Sequence, residues 1–374
     1  MSKTYQRIAV GGQQLSTEKL RLAVIGCGRL GQVYLRLYSS LPDVEIVALV
    51  ERDPARLKHV AAQYGVTALY PDADALFRDQ VPDIAAVVTP TKYYKDAVIA
   101  AAEAGVRGVS TDKPLEAILS NADAMVDACA QRGVIFSGGA LMRAVPELQE
   151  AASWMHEGRF GKLIGASLLS WSGEISGSGC HKISVLRLLT GAEVTEVISW
   201  GTPAELVQGD CDWGMALNGH FKLSNGLDCP VFMGNSDSGL VDVWTDETLV
   251  QMGWRGPEIY TGFDEHGSRI GAEVQYTQYD WPEPRHLMGS VLAFLRAVRN
   301  NDESYLWISG RDLRQALEVA IASHQSAKRG AVPIKLPLED RSLTLYPRPY
   351  RWLGGDEYTG QGDKVEGHRE DLEV

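Results

Sequence analysis

Arg21-Leu22-Ala23-Val24-Ile25-Gly26-Cys27-Gly28-Arg29-Leu30-Gly31 runs from a short apolar segment into a Gly-x-Gly-x-x-Gly. Leu30, Val33, Tyr34, Leu37 and Tyr38 then recur at helical spacing. The reading is strand, tight turn, helix. Gly26 permits the turn, Gly28 lets a pyrophosphate approach the backbone, and Gly31 lets the helix pack close. Arg29 and Leu30 lie in the first helical turn, whose unpaired N–H groups attract phosphate. Glu51 closes the next apolar run, Val44 to Val50, 20 residues beyond Gly31. A carboxylate there accepts hydrogen bonds from ribose hydroxyls and repels a 2′-phosphate, which predicts NAD in preference to NADP. Arg52, next to it, is a counter-signal, because a guanidinium can hold that phosphate.

The alternation continues outward. Leu57 to Tyr64 reads as a helix ended by Gly65, and Ile84 to Val88 as a buried strand. An Ala-rich helix follows to Gly105, then a strand over Val106 to Ser110. Ile118 to Cys129 is a further helix, and Val134 to Phe136 a further strand. Nearly continuous apolar strands alternating with helices predict a doubly wound parallel sheet covered on both faces.

The pattern changes near residue 145. A helix over Pro146 to His156 precedes strand-like runs at Ile164–Trp171, Val194–Trp200, Met215–Leu223, Leu240–Trp244 and Leu249–Trp254, with Asn225-Gly226 as a hairpin turn. Two helices, Leu287 to Val298 and Leu313 to His324, close the region. All nine Trp lie at or beyond Trp154. We therefore expect an N-terminal extension (1–20), a dinucleotide-binding domain (21–145), an α+β domain with a large, mostly antiparallel open sheet for substrate and oligomerisation (146–345), and a C-terminal arm (346–374).

The chain has 374 residues and a formal net charge of −12, which argues against nucleic-acid binding. No run approaches about 20 apolar residues, so no transmembrane helix is expected. The polar N-terminus lacks a signal core, so the expected location is cytoplasmic. Five Cys without CxxC spacing, and scattered His, predict neither a disulfide framework nor a metal site.

Further motifs follow in order: Thr89-Pro90-Thr91, Thr111-Asp112-Lys113-Pro114, Arg143 to Pro146, Gly179-Cys180-His181 before an apolar helix, and Ala322 to Gly330. Over about residues 21–340 the chain resembles the glucose–fructose oxidoreductase, inositol dehydrogenase and MocA family. That resemblance implies a Rossmann domain followed by an open-sheet domain buried in a homodimer or homotetramer. It implies Lys113 as the catalytic lysine, His181 as the substrate-binding and proton-transfer histidine, and Thr89, Pro90 and Thr91 beside the cofactor. Three positions depart from the family pattern: Gly177 replaces an Asp four residues before the histidine, Ser184 replaces an Asp three residues after it, and Tyr94 replaces a histidine.

Oxidising a secondary alcohol needs a base for the hydroxyl proton and a cation near the developing oxyanion. His181 suits the first role and Lys113 the second. Lys182 is expected to depress the His181 pKa if its ammonium lies close. Tyr94 is either pocket wall or proton donor, and Arg143 either substrate ligand or domain tie. Trp171 and Trp213 are candidates for stacking on a sugar face. Glu174 is a candidate replacement for the absent Asp; with it, Ser184 or a water is expected to orient the His181 ring. The leading expectation is an NAD(P)-dependent oxidoreductase acting on a ring hydroxyl of a sugar, glycoside or cyclitol. The alternatives are a redox-assisted glycosidase or lyase of the same family, and a non-catalytic dinucleotide-binding sensor.

Overall fold

The computed structural model describes residues 18–234, 239–282 and 284–354. Most of the expected N-terminal extension and the arm beyond 354 lie outside them. The first unit comprises β1 (Leu20–Ile25), α1 (Arg29–Ser39), β2 (Val44–Val50), α2 (Pro54–Tyr64), β3 (Leu69–Tyr70), α3 (Ala73–Asp79), β4 (Ile84–Val87), α4 (Tyr94–Ala104), β5 (Gly108–Ser110), α5 (Leu119–Arg132) and β6 (Ile135–Ser137). Its six strands run parallel in the order β3-β2-β1-β4-β5-β6. Strand β1 is central, and Leu22, Ala23 and Val24 are fully buried from both faces, hence its unbroken apolar reading. Helix α2 starts because Asp53 accepts from the N–H groups of Ala55 and Arg56, and ends where Gly65 turns left-handed at φ +68°. The two-residue β3 and the short α3 went unread, since neither is long enough for a period to show.

The second unit comprises α6 (Pro146–His156), β7 (Leu163–Leu168), β8 (Ser172–Glu174), α7 (Gly179–Thr190), β9 (Val194–Thr202), α8 (Ala204–Gln208), β10 (Trp213–Leu223), β11 (Asp228–Val231), β12 (Val241–Thr245), β13 (Leu249–Gly253), β14 (Gly256–Phe263), β15 (Arg269–Gly271), α9 (Arg285–Asn300), α10 (Gly310–Lys328), β16 (Ile334–Lys335) and α11 (Pro349–Leu353). A ten-stranded sheet runs β15-β14-β13-β12-β7-β11-β10-β9-β16, with β8 pairing β10. Every pairing is antiparallel except β11 with β7. The Asn225-Gly226 turn closes the β10–β11 hairpin, with Gly226 at φ +86°. Helices α6, α7 and α10 pack on one face, burying Leu217, Phe221, Val241 and Val243. Trp200 points away from that face, as does a row formed by Trp244, Leu249 and Tyr260.

One helix departs from the expected division of the chain. Helix α9 follows the second sheet in sequence but covers the first. A Cβ on Gly108 of β5 would lie 2.4 Å from Val298 Cγ2 and 2.9 Å from the Phe294 ring. The amphipathic period of α9 identified a buried face but not which sheet it buries against.

Candidate active site

The first half of the site lies where the strand order reverses, between β1 and β4, outside their carboxyl ends. Gly26 takes φ +101°, and a Cβ there would press within 2.7 Å of the Val88 carbonyl oxygen. A Cβ on Gly31 would lie 2.0 Å from the Gly26 carbonyl oxygen, whereas one on Gly28 would meet open space. Gly28 caps α1 without a side-chain hydrogen bond, and the first turn holds no acid. Glu51 is buried beneath this loop. Its Oε2 accepts from Cys27 N–H at 2.9 Å, its Oε1 from Asp53 N–H at 3.0 Å, and Arg56 Nη1 stands 3.7 Å away. Arg52 is exposed and lies over the Tyr93 ring, 5.5 Å from its centre. Thr91 Oγ1 donates to the Pro114 carbonyl at 3.3 Å, joining the turn after β4 to the loop after β5. An uncapped helix N-terminus, open space over Gly28 and a carboxylate one strand away fit the phosphates and ribose of a dinucleotide.

The second half is assembled across the domains. Lys113 follows β5 and is half-buried. Its loop is fixed by Asp112, which accepts from Tyr34 Oη at 2.7 Å and from Lys113 N–H at 2.6 Å. Burial and then the Arg351 guanidinium push the Lys113 pKa down. His181, in the first turn of α7, is 6% exposed. Burial, Lys113 and His286, in that order, hold its pKa well below the usual range. Lys182 also contributes, but less, and its ammonium donates to the Ser170 carbonyl.

The His181 ring has a partner that the sequence reading did not contain. Its Nδ1 accepts from Met142 N–H at 3.0 Å. A backbone amide only donates, so Nδ1 carries no proton and the neutral ring holds its proton on Nε2. In this arrangement His181 presents a donor at Nε2 rather than the free nitrogen a general base would need there. Ser184 does not orient the ring, since its hydroxyl donates to the His181 carbonyl. Trp254 stands edge-on to the ring at 5.5 Å and His286 at 6.4 Å. Neither Trp254 nor His286 carried a local signal, because they come from the β13–β14 turn and from α9.

Glu174 does occupy the region of the absent Asp. A Cβ on Gly177 would lie 2.5 Å from Glu174 Cδ, so the glutamate fills the space a side chain there would need. Its Oε2 accepts from Arg351 Nε at 2.9 Å. Asp212, fully buried, accepts from Ser176 N–H at 2.6 Å, and burial followed by Glu174 pushes its pKa up to about 8.

Three residues weighed as substrate contacts take other places. Trp171 is fully buried, with Phe221 edge-on at 6.1 Å, and a Cβ on Gly179 would strike it at 2.6 Å. It supports the start of α7 from below. Arg143 turns toward α10 and pairs with Asp312 at 3.1 Å, alongside Arg187 at 2.6 Å. Tyr94 is buried in the core of the first unit, and burial and then Asp112 drive its hydroxyl pKa far upward, so it stays a neutral packing residue. Trp213, by contrast, is half exposed, with the Arg348 guanidinium 5.7 Å from its ring centre.

Residues 20–140 match the oxidoreductase family described by an NAD-binding Rossmann fold, GFO_IDH_MocA. The chain is 29% identical over 161 residues to a D-apiose dehydrogenase of Paraburkholderia graminis, covering 43% of each protein. It is 29% identical over 197 residues to an NAD(+) scyllo-inositol 2-dehydrogenase of Bacillus subtilis, covering 49% of this chain and 57% of that protein. The chain thus spans about half the length of these curated relatives. The fold is similar to that of a levoglucosan dehydrogenase solved with NADH and L-sorbose, with a TM-score of 0.71 at 18% identity, over 85% of this chain and 99% of that one.

Proposed function

We propose that this chain, whose residues 20–140 match the NAD-binding Rossmann domain of the glucose–fructose oxidoreductase, inositol dehydrogenase and MocA family, oxidises a ring hydroxyl of a sugar, glycoside or cyclitol to the ketone. NAD, when bound, supplies the hydride acceptor. Gly26, Gly28, Gly31 and the N–H groups at Arg29 and Leu30 would hold its pyrophosphate. Glu51 would hold the ribose, and Arg52, Thr89, Pro90 and Thr91 would border it. The preference for NAD over NADP rests on the buried Glu51 carboxylate at the base of the loop, with Arg52 drawn away over Tyr93.

The observation that carries the reading is the His181 ring held through Nδ1 by Met142 N–H, with the Lys113 charge near enough to depress its pKa. Burial and a neighbouring guanidinium favour the neutral amine of Lys113. Lys113 Nζ then takes the hydroxyl proton as the C–H hydrogen departs with its electron pair. His181 Nε2–H donates to the same oxygen and stabilises its alkoxide character. The proton leaves through Lys113, and the balance is one alcohol consumed with one ketone, one reduced cofactor and one proton formed. A row of Trp244, Leu249 and Tyr260 on the uncovered sheet face supports association of two or four copies through that face.

The test is a panel of sugars, glycosides and inositols with NAD and with NADP, following reduced cofactor and product together. Ketone and NADH formed one for one support the proposal. Cleavage products without net NADH would replace it with the redox-assisted glycosidase or lyase. Cofactor binding without turnover of any member would leave the sensor.

A further inference from the structure

The segment after α10 is a strap across the site. Leu119 N–H donates to the Leu343 carbonyl at 3.2 Å, and Leu345 N–H to the Ala117 carbonyl at 2.9 Å, tying it to the loop beyond Lys113. It then crosses to the second domain, where Tyr346 N–H donates to the Asp210 carbonyl at 2.7 Å and Asp212 N–H to the Tyr346 carbonyl at 3.0 Å. Helix α11 follows and packs on the turn Thr91–Tyr93 beside the dinucleotide crevice. This path delivers Arg351 between the domains.

Arg351 touches Glu174 with Nε alone, at 2.9 Å, and its guanidinium lies over the Tyr350 ring, 5.1 Å from the centre. Among the described residues, no hydrogen bond engages its terminal nitrogens Nη1 and Nη2. Two parallel N–H donors in that fork match the two oxygens of a carboxylate. The surrounding charges point the same way. Arg348 and Arg351 are cationic, and Lys113 adds a further positive charge only while it is protonated. The opposing anions are Glu174 and Asp112, and Asp112 is already spent on Tyr34 and on the Lys113 backbone. Burial and then Glu174 push the Asp212 carboxyl pKa upward, which favours its neutral form. Glu174 already favours the charged form of the Arg351 guanidinium through Nε, which keeps the cation in place and leaves the fork of Nη1 and Nη2 for a second anion.

We propose that the substrate is a polyhydroxylated compound bearing a carboxylate, of the uronate or aldonate type, and that Arg351 of the C-terminal strap binds that carboxylate. The inference rests on the dehydrogenase reading for which hydroxyl reacts, but the binding of the carboxylate is separable from the chemistry. Arg351 fixes which molecule enters, and Lys113 and His181 act on its hydroxyl.

The experiment compares matched pairs, glucuronate with glucose and galacturonate with galactose, on the NAD-loaded protein. We expect kcat/KM to favour the acid by about 10-fold or more, and the preference to shrink as salt rises. In Arg351→Gln the ratio of acid to neutral sugar falls about 10- to 100-fold, the range for a bidentate charge-assisted pair. Arg351→Lys keeps the charge but not the fork and falls in between. Because Arg351→Gln takes the guanidinium from the buried Glu174 and leaves it the Arg348 backbone N–H and a more distant guanidinium, a Glu174→Gln/Arg351→Gln pair with a native-like thermal melt must lose the same selectivity.

Binding of glucuronate and glucose to the NADH-loaded protein, measured by calorimetry, is the second readout. If no sugar reduces NAD yet glucuronate binds more tightly than glucose and Arg351→Gln abolishes the difference, the substrate class stands and the dehydrogenase reading fails. If acids and neutral sugars are used and bound alike, or Arg351→Gln weakens both equally, the carboxylate proposal is overturned whatever becomes of the chemistry.

Discussion

The two halves of the site are built differently. The dinucleotide half comes from one unbroken stretch, β1 through β2, with Gly26, Gly28, Gly31 and Glu51 placed by a turn and a strand. The substrate half draws Lys113, Met142, His181, Trp254, His286 and Arg351 from six separate segments spread over more than 200 residues. A local half tolerates change in the rest of the chain, because its groups are positioned by backbone geometry within one βαβ unit. A dispersed half depends on every packing contact that brings its segments together. Mutations in the two halves should therefore separate cleanly into effects on cofactor binding and effects on turnover.

Lys113→Met is the strongest test of that separation. Removing the proton acceptor should lower kcat by about 10²–10⁴-fold, with NAD affinity measured by fluorescence titration changing by less than about threefold. A parallel loss of NAD affinity would show that the two halves are not independent. His181→Ala should cost less, about 10²-fold in kcat, as expected for one lost donor to a developing oxyanion. The residual activity should keep the same acidic limb in its pH profile, since Lys113 supplies that limb. If the limb disappears with His181, the assignment of base and donor is reversed, and the Met142 contact does not set the tautomer in solution.

The dinucleotide half is tested by Glu51→Ala. Losing ribose hydrogen bonds to a charged group should weaken NAD binding by about 10-fold, with NADP gaining relative to it. The same change leaves Cys27 N–H without its acceptor under the loop. A modest fall in melting temperature should accompany it. Unchanged discrimination between the two cofactors would move the selectivity to Arg52.

A smaller effect joins the strap to the chemistry. Arg351 is the largest charge-based cause of the depressed Lys113 pKa, second only to burial. Lys113 accepts the proton as the neutral amine, so oxidation rises with pH through its pKa. Removing a neighbouring positive charge makes the ammonium easier to keep, and the pKa rises. Arg351→Gln should therefore move the limb of kcat upward by about one pH unit or less, measured at saturating neutral sugar. A downward shift would contradict the placement of the guanidinium.

Legibility in the sequence follows the same division. Strand β1, the glycine turn, α1, β2 and Glu51 were readable because period, glycine position and spacing are properties of one short stretch. The Asn225-Gly226 hairpin was readable for the same reason. Helix α9 was readable as a helix, but not as a cover for the first sheet. Trp171 lies next to the His181 segment and looked exposed to substrate, yet the close approach of Gly179 that buries it appears only in three dimensions. Met142 gave no signal because its contribution is a backbone N–H, a group that every residue except proline has. Glu174 was suggested by proximity alone, and its partner Arg351 was hidden in a tail whose composition resembled an arm.

Arg143 marks the boundary between the two halves and the scaffold that joins them, and it should show the smallest functional effect. The sequence left it open as a substrate ligand or a tie. Its Nη1 meets Asp312 at 3.1 Å, at the start of α10. Asp312 is held by more than this pair. Arg187 stands 2.6 Å away, and Ser309 donates from its N–H and its hydroxyl, each at 2.8 Å. These contacts and Arg143 together keep the Asp312 carboxyl below its usual pKa range, against the burial that opposes them. Arg143→Met thus removes one of several partners and preserves much of the side-chain volume. It should lower stability by about 1 kcal/mol, read by chemical denaturation, because Asp312 keeps Arg187. KM for the substrate and NAD affinity should each change by less than about twofold, since Arg143 faces neither half of the site. A rise in KM of about 10-fold with unchanged stability would place the guanidinium in the pocket during turnover and would give the Met142 segment a second residue in the dispersed half.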